Sequence, residues 1–136
     1  MKIACAVAVA VVLAIAATAH ARSVRTIDVT IHHSHFTPEH IDVRRGERVR
    51  FVVRNEDPID HEFIVGPAPI QLMHELGTDA LHNGPGAVSV PLFTTRSTTY
   101  TFRDEPASLF GCHLPGHWAY GMQGSITLLP SHGYQF

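Results

Sequence analysis

Cys112, His117 and Met122 stand at intervals of five residues within one loop-like stretch, Phe110-Gly-Cys-His-Leu-Pro-Gly-His-Trp-Ala-Tyr-Gly-Met-Gln-Gly124. An ionisable thiol, an imidazole and a thioether form one soft anionic, one borderline and one weak donor, the set that copper prefers. A second histidine would complete a trigonal site with a long axial bond. Apolar residues lead into the stretch (Leu109, Phe110) and follow it (Ile126, Leu128, Leu129). The rest of the chain must supply the histidine and hold both parts together.

The cysteine count sharpens this reading. The chain has 136 residues and two cysteines, Cys5 and Cys112. Lys2 and the apolar run from Ala6 to Ala17, closing on Ala19-His20-Ala21, have the pattern of a signal peptide with an A-x-A cleavage site. The run is shorter than the ~20 residues a spanning helix needs, and Cys5 precedes it, which argues against a lipoprotein. Residues 1–21 therefore read as a signal peptide and residues 22–136 as one mature domain, placed in the periplasm or outside the cell. The mature chain keeps Cys112 alone. A single thiol in an oxidising compartment is an intermolecular disulfide, a liability or a metal ligand, and the flanking His117 and Met122 favour the ligand.

Charge excludes some partners. Without Lys2 the basic residues are nine arginines against twelve acids, so a nucleic acid partner is not expected. No membrane span is expected after cleavage, and the mature chain reads as a monomer. Ten of the eleven histidines follow His20, a density that suits an exported protein meeting metals.

The elements that must position the ligands are strands. Ile27, Val29 and Ile31 alternate with polar residues, as do Ile41 and Val43, and Val49, Phe51 and Val53. His61 opens a further run that ends at Gly66-Pro67. Val88 and Val90, then Thr98, Tyr100 and Phe102, continue the pattern before Ala107 to Phe110 enter the loop and Ser125 to Leu129 leave it. Phe36-Thr-Pro38 reads as a break. Residues 68–82 carry Ile70, Leu72, Met73 and Leu76 at helical spacing, which predicts a short helix or structured loop. Eight strands, one helical insertion and no βαβ alternation predict an all-β antiparallel sandwich or barrel. In a sandwich, a histidine starting an inner strand can face the loop joining the last two strands, so His61 is the candidate for the missing imidazole.

Phe36-x-Pro38, Val43-x-x-Gly46, Val49-x-Phe51, Asn55, His61-Glu-Phe63 and the Cys112-x4-His117-x4-Met122 loop together resemble the cupredoxins, the small type 1 blue copper proteins. The resemblance implies a Greek-key β-sandwich and one type 1 copper ion. His61, Cys112 and His117 would be its equatorial ligands, the histidines binding through Nδ1, and Met122 the weak axial one. It also implies one-electron transfer through the surface edge of His117, with Pro115, Gly116, Trp118, Ala119 and Tyr120 forming a small apolar surface for brief docking of redox partner proteins. Singly, His61 and Met122 would more often be core residues and Cys112 an inert thiol. Their joint order along the strands carries the assignment.

Glu62 and His113 depart from the common pattern, which has Asn after the first histidine and Ser or Thr after the cysteine. A charge-assisted Glu62–His113 pair is one expectation, and two solvated side chains the other. Cys112-His113-x3-His117 also resembles the type 1 loop of multicopper oxidases, where the residue matching His113 helps bind a trinuclear cluster. Here Gly111 stands before the cysteine, and His33-Ser-His35 is the single H-x-H pair, too few for such a cluster; no enzyme activity is expected. His32, His33, His35, His74 and His82 are candidates for a second metal site or, more simply, solvated side chains. His74 or His82 packing over the copper site is an intermediate arrangement. A copper carrier or resistance protein of the cell envelope would use the same four ligands.

Overall fold

The computed structural model describes residues 23–78, 82–106 and 108–131. The expected signal peptide, residues 1–21, lies outside them. Among the described residues nine strands form two sheets: β1 Arg25–His32, β2 His35–Thr37, β3 His40–Arg44, β4 Arg48–Asn55, β5 His61–Pro67, β6 Ala87–Val90, β7 Thr95–Thr101, β8 Ser108–Gly111 and β9 Gln123–Leu129. Their order is β2-β1-β4-β7 in one sheet and β3-β9-β8-β5-β6 in the other. This is the expected sandwich, with little helix and without closure into a barrel. The β1–β4 and β3–β9 pairs are parallel and the others antiparallel. Alternation of apolar residues says which face is buried but not which way a neighbour runs, so these two pairs are not visible in the sequence.

Period-2 burial follows from the side-chain alternation of a strand. In β4, Val49, Phe51 and Val53 are buried while Arg48, Arg50 and Arg54 are exposed. Five fully buried phenylalanines fill the space between the sheets: Phe36, Phe51, Phe63, Phe102 and Phe110. Phe36 meets the edges of Phe63 and Phe110 at centroid distances of 5.6 and 5.4 Å, the edge-to-face geometry that ring quadrupoles favour. Cys112 and Met122 belong to this same core.

β5 is buried along nearly its whole length, on both faces. His61, Phe63 and Val65 face the core, while Gly66 lies against α1, Ala68–Glu75. That helix begins with Pro69 in its first turn, where a missing N–H costs nothing. The helix expected over residues 68–82 thus occupies the first half of that span.

The strand not anticipated is β2. It pairs with β1 through a two-residue turn, His32 opposite His35, whose central residues His33 and Ser34 have φ of 50° and 57°. Tight hairpins want positive φ at both positions and usually take it from Asn or Gly. His-Ser carries no such signal.

Candidate metal centre

The loop between β8 and β9 is held in shape by its own backbone. Cys112 N–H donates to Met122 O at 3.1 Å and Met122 N–H to His117 O at 3.0 Å. Between them lies a single helical turn, α2 His117–Tyr120, bounded by Gly116 and Gly121 with φ of 84° and 108°. Both glycines occupy left-handed backbone that side chains disfavour. The turn folds the stretch back on itself, so residues five apart reach one place.

His61 enters from the start of β5. Its Nδ1 lies 3.2 Å from His117 Nδ1 and 4.0 Å from Cys112 Sγ, and Cys112 Sγ lies 3.2 Å from His117 Nδ1. A point about 2 Å from all three donors exists, which matches ordinary nitrogen and sulfur bonds to a transition metal. Among the described residues this is the single group of three or more His, Cys, Asp or Glu side chains whose donor atoms all lie within 4.8 Å of one another. His61, Cys112 and Met122 are fully buried, and His117 is half-buried. The donor set, its spacing and its burial fit copper, with Met122 placed beside Cys112 by the backbone.

Electrostatics prepare the donors. His61 Nε2 donates to Asp57 Oδ2 at 2.9 Å, which leaves the Nδ1 lone pair facing the other ligands. Burial lowers the His61 pKa, the Asp57 hydrogen bond opposes this, and nearby His117 lowers it further, so the ring stays neutral and free to coordinate. Burial pushes the Cys112 thiol up to about 11, partly offset by N–H donors from Glu62 and Leu114. Glu62 N–H points at Cys112 Sγ over 3.4 Å. For Asp57, burial works to raise the pKa but is outweighed by donors from Ser34, His33 and His61, and the net shift is downward.

Glu62 and His113 do meet, in a different form from the expected pair. Glu62 Oε1 accepts the backbone N–H of His113 at 2.8 Å. The His113 ring turns away to α1: its Nδ1 bonds Glu75 Oε2 at 2.8 Å and its Nε2 bonds Gln71 Oε1 at 2.7 Å. Both ring nitrogens are thus engaged by side chains of α1. The ring stacks on Trp118 at 4.6 Å and on His74 at 5.9 Å.

The remaining histidines are placed as follows. His74 packs outside the site through His113, and His82 Nδ1 lies 4.0 Å from Glu62 Oε2. His32, His33 and His35 sit on the β1–β2 hairpin, His32 beside Glu56 at 3.6 Å and the His35 ring 5.6 Å from Tyr120. Tyr120 is exposed and Trp118 half-buried. Sequence reasoning missed Asp57 and Gln71. Asp57 precedes His61 by four residues in a Pro-containing turn, where an acid reads as ordinary turn chemistry. Gln71 looks like a surface residue of a short helix, yet its buried amide donates to Ile64 O, Gly66 O and Leu109 O.

Comparison with known proteins agrees with this fold. The chain is 34% identical over 113 residues to the copper-resistant cuproprotein CopI of Rubrivivax gelatinosus, covering 79% of this chain and 68% of that one. It is 28% identical over 143 residues to CopI of Pseudomonas aeruginosa, covering 81% and 79%. Among solved structures, auracyanin A, a "blue" copper protein from Chloroflexus aurantiacus, superposes with a TM-score of 0.61 at 21% identity, covering 79% of this chain and all of that one; at that identity the likeness shows the fold alone. The cupredoxin-like domain family matches residues 5–81, which contain His61 and end before the Cys112 loop, and the chain belongs to that family.

Proposed function

We propose that the protein is an exported type 1 copper protein that transfers single electrons, with His61, Cys112 and His117 as strong ligands and Met122 as the weak axial one. Bound copper would supply the one-electron couple. The protein's part is to hold four ligands on a rigid sandwich so that little has to move when the charge changes. The observation that carries this reading is the difference in exposure among the ligands: three are sealed in the core and His117 alone reaches toward solvent. Around it Pro115, Gly116, Ala119 and Tyr120 are exposed. Exposed Ile59, Leu92 and Phe93 lie on the loops next to Asp57, whose backbone O accepts Phe93 N–H. This rim suits a small, transient redox encounter.

A second reading, a copper carrier or resistance factor of the cell envelope, is favoured by the names of the relatives from Rubrivivax gelatinosus and Pseudomonas aeruginosa. The same ligands serve both. An electron carrier holds its ion and cycles its redox state; a carrier of copper gives the ion up quickly to a partner or chelator. No catalytic step is assigned.

The test is to add copper(II) to the purified mature protein. An intense visible thiolate-to-copper band and a narrow copper hyperfine splitting are expected, both lost in Cys112→Ser. A colourless product, or a band that survives Cys112→Ser, would overturn the assignment. Export is checked by mass spectrometry of the protein recovered from the cell envelope, which should begin at Arg22.

A further inference from the structure

Asp57 is only 4% exposed, and three N–H groups converge on its carboxylate. Oδ1 accepts His33 N–H at 2.6 Å; Oδ2 accepts Ser34 N–H at 2.8 Å and His61 Nε2–H at 2.9 Å. The residue is itself held in place, because its backbone N–H donates to Asn55 Oδ1 at 2.9 Å. Asn55 in turn donates to Ile59 O and Val90 O. An ionised carboxylate accepts at both oxygens. An Asn in the same place would turn an NH2 group against one of these three donors, and a protonated acid would also lose an acceptor site.

We propose that Asp57 is a positioning residue of the metal centre, which fixes the His61 ring through Nε2–H and whose buried charge favours the oxidised over the reduced ion. This rests on the copper reading given above. The hydrogen bond sets both the tautomer and the ring angle of His61, so that Nδ1 rather than Nε2 faces Cys112 and His117. The charge argument is separate. With one thiolate, the centre carries one net positive charge as copper(II) and none as copper(I). A buried negative charge across the imidazole therefore stabilises the oxidised centre more, in surroundings where screening is weak. The partners of Asp57 are neutral N–H donors, so none of them cancels that charge. The electron consumed in the one-electron reduction comes from a redox partner or, in a titration, from a mediator dye.

The same carboxylate also closes the β1–β2 hairpin, where two residues other than glycine have positive φ. A purely structural role would thus lower stability and leave the couple alone. The experiment measures the reduction potential of wild type, Asp57→Asn and Asp57→Glu by equilibration with mediators, alongside urea unfolding of each apo protein. Asp57→Asn should raise the potential and weaken copper(II) binding by about 10–100-fold, with copper(I) binding less affected. Asp57→Glu, which keeps the charge, should return the potential toward wild type. An Asp57→Asn protein that keeps the visible band at the wild-type potential would overturn the proposal. Should Asp57→Asn not fold, NMR of the wild-type copper(I) protein decides: the His61 Nε2 proton must be visible and slow to exchange, and rapid exchange with water would sink the idea. Absence of the visible band in wild type itself would instead defeat the copper reading, so the two failures are distinct.

Discussion

Glu62 accepts the backbone N–H of His113 at 2.8 Å while its own backbone N–H points at Cys112 Sγ over 3.4 Å. One residue of β5 thereby holds both sides of the cysteine that starts the ligand loop. The carboxylate is nearly buried, so removing it leaves an N–H without a partner, at a cost of about 1–3 kcal/mol. Urea unfolding of the apo protein should show Glu62→Ala destabilised by that amount. Glu62→Gln keeps a carbonyl acceptor and should lose less than half as much. Equal losses in the two variants would mean that the contact with His113 is not what the carboxylate supplies.

The His113 ring supports α1 and does not face the metal. Its two ring bonds, to Glu75 and Gln71, and its stack on Trp118 connect the ligand loop to the helix. His113→Ala should lower apo stability by roughly 1–3 kcal/mol, the usual range for breaking a partly buried network, yet leave the visible copper band in place. Loss of the band would show that His113 has a direct part in the metal site.

The sequence made the clustering of His61, Cys112 and His117 and the β-strands legible for one reason: type and spacing report chemistry and burial. Cys112, His117 and Met122 announce a metal because few other needs put those donors at those intervals. Val49, Phe51 and Val53 announce an inner strand face because alternation has few other causes. The residues around the ligands carry no such signal. Asp57 looks like a turn acid, Gln71 like a helix surface and His33-Ser34 like a loop, and their roles depend on which strands become neighbours. The Glu62–His113 contact was visible as a departure from a pattern, but its form was not, because a backbone donor has no side-chain identity to read. The direction of β1 beside β4 was hidden for the same kind of reason.

Gly111 illustrates what position alone can require. A Cβ built there would lie 2.4 Å from Trp118 Cζ3 and 2.6 Å from Trp118 Cε3, closer than any real contact. A histidine before the cysteine, as in the multicopper oxidase pattern, would therefore displace the indole from the His113 stack. Gly111→Ala should cost about 1–3 kcal/mol as an overpacked site. Trp118 is the single tryptophan of the chain, so a changed emission maximum in the folded variant reports its displacement directly. Wild-type emission and stability together would show that the ring and the glycine are not in contact.

Metal uptake should be coupled to one proton. Burial holds the Cys112 thiol up to about 11, so at neutral pH the apo protein carries S–H, and coordination requires the thiolate. His61, with its pKa lowered by burial, is already neutral there and adds no proton of its own. The sign follows: raising pH removes the proton that competes with the metal. Between pH 7 and 9 the apparent copper(II) affinity should rise by about tenfold per unit, with about one proton released per ion in a weakly buffered titration. In the absence of metal the same shift acts in the opposite sense. The folded thiol holds its proton more tightly than the unfolded one, whose ordinary value is 9.0, so this contribution to apo stability is complete below pH 9 and fades as pH rises toward 11. Competition against a chelator of known pH dependence measures the first effect, and urea midpoints across alkaline pH measure the second. A flat affinity profile from pH 7 to 9 would mean that Cys112 is already a thiolate in the apo protein.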